Sequence, residues 1–138
     1  MPISQAIALL NEKNATLAAV TEKGAFFSED RGLKPLLCEL QKDKDFFRGA
    51  AVADKVIGKA AALLMVYGGV AVVHTEIISS PAAAVFVRAS LPFQAEKTVE
   101  RIENRTGTGL CPMESLCMDI DDPKRAFTIL SQAVKNMS

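Results

Sequence analysis

The sequence predicts an α/β protein, a three-layer α/β/α arrangement around a central mixed β-sheet, and three observations lead there. Short segments rich in β-branched residues alternate with segments of helical spacing. An early hairpin signal precedes that alternation. The chain has 138 residues, 49% of them hydrophobic, with a single tyrosine and no tryptophan, which suits one domain over residues 1–138 with an aliphatic core. It shows no internal repeat, low-complexity run or linker that would divide it.

Ile3, Ile7, Leu9 and Leu10 predict a short opening helix. "ATLAAVT" and "GAFFS" flank Glu22-Lys23-Gly24 as the two strands of a hairpin. "KPLLCELQK" predicts a helix whose early proline is tolerated in the first turn, and "GAAVA" a short buried strand. In "DKVIGKAAALLMVYGG" the spacing of Val56, Ala60, Leu63, Leu64 and Tyr67 predicts a helix capped by Asp54 and ended by Gly68-Gly69. "VAVVHTEII" reads as a strand covered on both faces, and "SSPAAAVFVRA" as a helix with serine at its cap and Pro81 just inside. Pro92 cannot donate to a central ladder, so "LPFQAEK" predicts an edge strand. "TVERIEN" predicts a short helix, and "DDPKRAFTILSQAVKNM" a final amphipathic helix with Asp122 as cap and Pro123 at its start.

Composition excludes several functions. Sixteen Lys and Arg balance sixteen Asp and Glu, and no basic run occurs, which argues against a nucleic-acid binder. The longest apolar run, Ala60 to Val73, is broken by Gly68-Gly69 and is too short to span a bilayer. "MPISQAIALLNEK" lacks a basic leader and reads as a first helix rather than a signal peptide. Cys38, Cys111 and Cys117 follow no disulfide framework and fit reduced thiols, hence a cytoplasmic location without a membrane partner.

"NRTGTGLCPMESLC" is the first segment that could carry chemistry. Gly107 and Gly109 permit backbone angles closed to other residues and let a ligand approach the main chain. With Pro112 at the first helical position, Cys111 becomes the N-cap and Glu114 falls at the spacing of a capping box. A thiol at a helix N-terminus is a candidate nucleophile or redox group, although the charge of Glu114 opposes a thiolate. The alternative is a glycine turn leading into a capped helix with no chemistry. Cys117 and Cys38 read as core filler, since their spacing fits no metal site.

"ADKVIGKAA" is the second segment. Lys55 and Lys59, four apart, would share one helix face, and Gly58 beside them costs a helix about 1 kcal/mol relative to alanine. A glycine makes sense there if a ligand or another backbone comes close. A helix N-terminus with two ammonium groups is a candidate anion site, the alternative being a solvated lysine face with a packing glycine. Asp54 is either a cap or a carboxylate that orients Lys55 and a substrate. His74, the single histidine, falls near the carboxyl end of its predicted strand, where α/β sheets tend to bind ligands. One histidine and scattered cysteines cannot make a typical structural zinc site.

Together "RGLKPLL", "ADKVIGKAAALL" and "NRTGTGLCPMESLCMDIDDP" resemble a family identified only as a domain of unknown function, family 1893, from about the hairpin through the last helix. The resemblance implies a cytidine deaminase-like fold. Zinc-dependent deaminases start one helix with His-x-Glu or Cys-x-Glu and the next with Pro-Cys-x-x-Cys. The matching positions here read Ala53-Asp54-Lys55 and Pro81-Ala82-Ala83-Ala84-Val85, with no thiolate to hold zinc. Deaminase activity therefore does not follow from the fold. The resemblance would put Asp54 and Lys55 where the metal and its acid/base glutamate normally sit.

Two functional expectations result. In the first the chain is a metal-free, cofactor-free enzyme or binding protein for a small anionic ligand, such as one carrying phosphate. Cys111, Asp54, Lys55 and Glu114 are its candidate catalytic groups, and Lys59, Gly58, Asn104, Thr108, Gly107 and Gly109 its candidate ligand-binding groups. In the second it is a non-catalytic module that senses a ligand or forms a homo-oligomer through its apolar helices.

Overall fold

The structure is a computed structural model and describes residues 2–29, 33–100 and 115–137. Five helices and five strands are described: α1 (Pro2–Glu12), β1 (Leu17–Thr21), β2 (Gly24–Ser28), α2 (Lys34–Lys42), β3 (Ala51–Ile57), α3 (Lys59–Tyr67), β4 (Val72–Ser79), α4 (Ser80–Arg88), β5 (Phe93–Val99) and α5 (Pro123–Met137). The strands form one mixed sheet in the order β2-β1-β3-β4-β5. β1 runs antiparallel to β2 and β3, whereas β3, β4 and β5 are mutually parallel. The predicted α/β class and mixed sheet are both present.

The hairpin closes in two residues, with Thr21 paired to Gly24. Thr21 Oγ1 donates to the Gly24 carbonyl at 3.0 Å and accepts from the Lys23 N–H at 2.9 Å. Gly24 has φ +123°, a backbone angle that side chains disfavour, so glycine is needed there for conformation and not for space.

Neighbouring strand residues point to opposite faces of a sheet, and the core divides accordingly. Leu17, Ala19, Val52 and Val73 belong to the larger apolar cluster, with Leu36, Leu63, Phe86 and Leu130 from α2, α3, α4 and α5. Ala18 and Ala53 belong to a smaller cluster with Ala6 and Leu10 of α1. Helices therefore cover both faces. α3 is buried from Lys59 through Met65 and is apolar on every side, as a central helix must be. Leu63 and Leu64, at 0% exposure, contribute roughly 1.5–3 kcal/mol of transfer free energy each. Phe26, Phe46 and Phe47 meet edge to face, the last two with centroids 4.9 Å apart. Phe127 of α5 stacks on Tyr67 at 4.5 Å.

Most expected elements form where the residues place them. The opening helix, hairpin, "KPLLCELQK" helix, β4, α4 and α5 are present. β5 is an edge strand directly after Pro92, whose carbonyl accepts from the Val73 N–H at 3.1 Å. Two expectations are corrected. The helix expected to begin after Asp54 begins at Lys59, because Asp54 through Ile57 continue strand β3. Val56 and Ile57 are β-branched, and β4 pairs with Asp54, Val56 and Ile57 while Leu17 of β1 pairs with Asp54, so the ladder outcompetes an early helical turn. Asp54 is not a helix cap, Gly58 is the N-cap of α3 rather than an interior residue, and Lys55 does not share a helix face with Lys59. Likewise Thr98 and Val99, expected to open a short helix, end strand β5.

Candidate functional site

The carboxyl ends of β3, β4 and β5 carry the starts of α3 and α4 with almost no connecting chain. Only Gly58 separates β3 from α3, and α4 begins at the residue after β4 ends. Gly58 is extended, at φ −97° and ψ 177°. Ser79 caps α4 by accepting the Ala82 N–H at 3.2 Å. Ser80 Oγ donates to the Val99 carbonyl at 3.3 Å and ties the start of α4 to the end of β5. Helix N-termini set on parallel strand ends are where α/β sheets receive ligands.

Lys59, the first residue of α3, is 8% exposed. A buried ammonium must be paired and hydrogen-bonded. Its Nζ donates to the Met118 carbonyl at 2.8 Å and lies 3.1 Å from Asp121 Oδ1. The same carboxylate oxygen is 3.2 Å from NH1 of Arg88, the last residue of α4. The Lys59 hydrogen bond, then that of Arg88, hold the Asp121 carboxyl below the usual carboxylate range. One exposed carboxylate thus faces two cations, and the stretch from Met118 to Asp121 is fastened to the start of α3.

Asp54 sits deeper in the sheet, level with Leu17 of β1 and Thr75 of β4. Desolvation pushes its carboxyl up to about 8, against a smaller opposing effect of the Val56 and Lys55 backbone N–H groups. The Val56 N–H reaches Asp54 Oδ1 at 3.4 Å. At neutral pH most of this carboxyl is protonated, so it could give a proton or donate a hydrogen bond. Lys55 follows Asp54 on the strand and faces the other way. Its Nζ lies 3.4 Å from Asn14 Oδ1, so its recorded partner is Asn14.

The structure brings the "ADKVIGKAA" segment against the residues that follow Cys117, through Lys59 and the Met118–Asp121 stretch. Cys111, Glu114, Asn104, Gly107, Thr108 and Gly109 lie outside the described residues. Cys117 is buried in the core and Cys38 is half-buried on α2. His74 is the third residue of β4 and lies towards its amino end, not the carboxyl end expected, because the strand continues to Ser79. Its Nε2 is 3.8 Å from Glu96 Oε2 on the neighbouring strand.

Sequence reasoning missed Asp121 and Arg88. A signal for the first was available: a lysine beside the apolar run "GKAAALL" needs an acid, and "DIDDP" holds two more aspartates than its cap requires. At the helix starts, Gly58-Lys59 and Ser79-Ser80-Pro81 offer no thiolate or imidazole, so these positions do not fit zinc. Among the described residues no three His, Cys, Asp or Glu side chains gather as a metal site. No helix among them is long and apolar enough to cross a membrane.

No curated protein matches the chain. Among solved structures it is similar to the crystal structure of a DUF1893 family protein from Thermotoga maritima. The two share 30% identity and a TM-score of 0.86, over 96% of this chain and 89% of that one. The family model described as "Domain of unknown function (DUF1893)" matches residues 5–134, and the chain belongs to this family.

Proposed function

We propose that the chain binds a small anionic ligand without a metal, at the carboxyl edge of β3–β4–β5, on a cytidine deaminase-like three-layer arrangement. The observation that carries this reading is Lys59: a nearly buried ammonium at the start of a helix, holding the oxygen of an anion. The fold assignment is supported by the parallel β3-α3-β4-α4-β5 succession and by α1 on the opposite face of the sheet. The absence of zinc ligands from the starts of α3 and α4 supports a metal-free role. Free Cys38 and Cys117 are compatible with a cytoplasmic location.

If the site is catalytic, protonated Asp54 is its general acid. Cys111 would be the nucleophile or redox thiol and Glu114 its cap or acid/base partner. Gly58, Asn104, Gly107, Thr108 and Gly109 would line the ligand, whereas Lys55, on the other face of the sheet beside Asn14, would not reach it. The second reading, a non-catalytic sensing module or homo-oligomer, is favoured by the pairing of Lys59 with Met118 and Asp121 within the chain.

Isothermal titration of the whole chain with phenyl phosphate tests the anion reading. Saturable binding that is lost in Lys59→Met supports it. Absence of binding, or binding unchanged in Lys59→Met, overturns it. Stoichiometric zinc in the purified protein would overturn the metal-free part.

A further inference from the structure

The two edges of the sheet are defended differently. β5 follows Pro92 and carries Glu96 and Lys97 within the strand. Charges and proline are the usual means by which an edge strand avoids pairing with another chain. β2 has neither: it reads GAFFS, and Ala25 and Phe27 are exposed, the latter at 42%. Among the described residues β2 pairs with β1 alone. Thr21 and Gly24 close the hairpin as a hydrogen-bonded pair, and such pairs alternate with non-hydrogen-bonded ones along an antiparallel ladder. Val20–Ala25 and Ala18–Phe27 are therefore of the second kind. The N–H and C=O groups of Ala25 and Phe27 turn away from β1, to the outer side of the sheet.

A second copy of β2 fits this edge about a two-fold axis through Phe26. Ala25 then lies opposite the partner's Phe27, and Phe27 opposite the partner's Ala25, so the outward groups of each bond those of the other. This register also matches charge, because Lys23 at one end of β2 meets the partner's Glu29 at the other, twice over by symmetry. Lys23 already pairs with Asp43, but an ammonium has three donors and its side chain is 56% exposed. A register one residue off would set Ala25 against the partner's Phe26, whose N–H and C=O serve β1. Two-residue slips would set Phe27 against the partner's Lys23, or Ala25 against the partner's Glu29, and leave the charges unmatched.

The side chains agree with the backbone. Ala25 and Phe27 share the face of α1 with Val20 and Ala18. There Ala8, Leu9, Val20 and Ala25 line a groove of about 430 Å³ between α1 and the hairpin. The partner's Phe27 arrives beside Ala25, at the mouth of that groove. Glu12 lines the groove as well, and Lys13 Nζ lies 5.8 Å from the Phe27 ring centroid. Each incoming ring thus brings its own lysine towards an acid.

We propose that β2 is a dimerisation edge, on which a second copy of this chain adds its own β2 in antiparallel register about Phe26, with Phe27 of each copy seated against the α1–hairpin groove of the other. The proposal rests on the homo-oligomer reading and names its surface, a sheet edge in place of the apolar helices.

Sedimentation velocity tests it on the whole chain, with wild type, Phe27→Ala, Lys23→Glu, Glu29→Lys and an equimolar mixture of the last two. Wild type sediments as a dimer. Each charge variant sets like charges opposite one another and raises the dissociation constant about tenfold, and Phe27→Ala weakens the dimer by a similar factor. The Lys23→Glu chain carries acids at both positions and the Glu29→Lys chain bases at both, so their mixture regains the wild-type affinity as a heterodimer. In the wild-type chain the Ala25 and Phe27 amides exchange slowly at dimer concentrations and fast on dilution, a measurement that needs no variant. A wild type that stays monomeric at about 100 μM overturns the homo-oligomer reading and this proposal with it. A dimer that none of the variants weakens overturns the β2 edge while the homo-oligomer reading stands. A mixture that associates no better than its components overturns the register about Phe26.

Discussion

Lys59 Nζ and Asp121 Oδ1 stand 3.1 Å apart and join the first residue of α3 to the residue just before the cap of α5. The contact spans two segments of very different character, one inside the core and one on the surface. Its carboxylate is held below the ordinary range by Lys59 and Arg88. A depressed carboxylate contributes stability that is present above the unfolded-state value, near 3.9, and is lost as pH falls through the folded value. The urea midpoint of Asp121→Asn should therefore lie below that of wild type at pH 7. The difference should close below about pH 4. A gap that persists at lower pH would mean that charge is not what Asp121 supplies.

Asp54 should show the opposite sign. Its folded value, about 8, lies above the unfolded one, so the native state binds a proton that the unfolded chain releases. Stability falls as pH rises from about 4 to about 8 and then levels off. Asp54→Asn, which keeps the shape without the acid, is expected to be more stable than wild type at pH 7 by roughly 4 kcal/mol and equal to it near pH 3. Chemical denaturation across this range checks it. A wild type that gains stability between pH 4 and 8 relative to the variant would contradict the protonated state.

Gly24→Ala should destabilise the hairpin by about 1–2 kcal/mol through its backbone angle alone, since an added Cβ would meet nothing within 4 Å. The comparison is Ala25→Gly one residue on, inside the strand, where the change should cost roughly 0.5–1 kcal/mol through chain entropy. Equal thermal shifts for the two would remove the conformational argument.

The cysteines offer a kinetic test. Cys117, at 0% exposure, should label slowest with iodoacetamide in the folded chain, and Cys38, half-buried, at an intermediate rate. If Cys111 is the proposed nucleophile it should outrun both at neutral pH, as read by peptide mass spectrometry. Equal rates for Cys111 and Cys38 would remove it from the chemistry.

Leu64→Ala should cost about 2–5 kcal/mol, as expected for a leucine fully enclosed in a central helix. A loss below about 1 kcal/mol by denaturant titration would show that α3 is not the centre of the core.

Much of the fold was legible because its signals are local. Asp122 accepts the Arg125 N–H at 3.2 Å and starts α5 as its spacing to Pro123 suggests. Ser79 caps α4, Pro92 precedes the edge strand, and two residues turn the hairpin. The stretch from Asp54 to Ile57 was misread because its residues also fit a helical period. Only the neighbouring strands, which local spacing does not reveal, hold them extended. The candidate site was legible in part for the same reason. Lys59 could be singled out by its apolar surroundings, but Asp121 reaches it from sixty-two residues along the chain, and Arg88, twenty-nine residues on, meets Asp121 rather than Lys59.

The single residue between β3 and α3 also fixes where this chain can change length. An insertion at Gly58 would turn α3 by about 100° relative to the strand it follows. Lys59 would then leave Asp121, and the rest of a helix enclosed on every side would have to repack. Insertions and deletions are better absorbed around Lys44 and Asp45, exposed residues ahead of the buried Phe47 that belong to no regular element. The carboxyl edge of the parallel strands is therefore a place where sequence can drift by substitution but hardly by length.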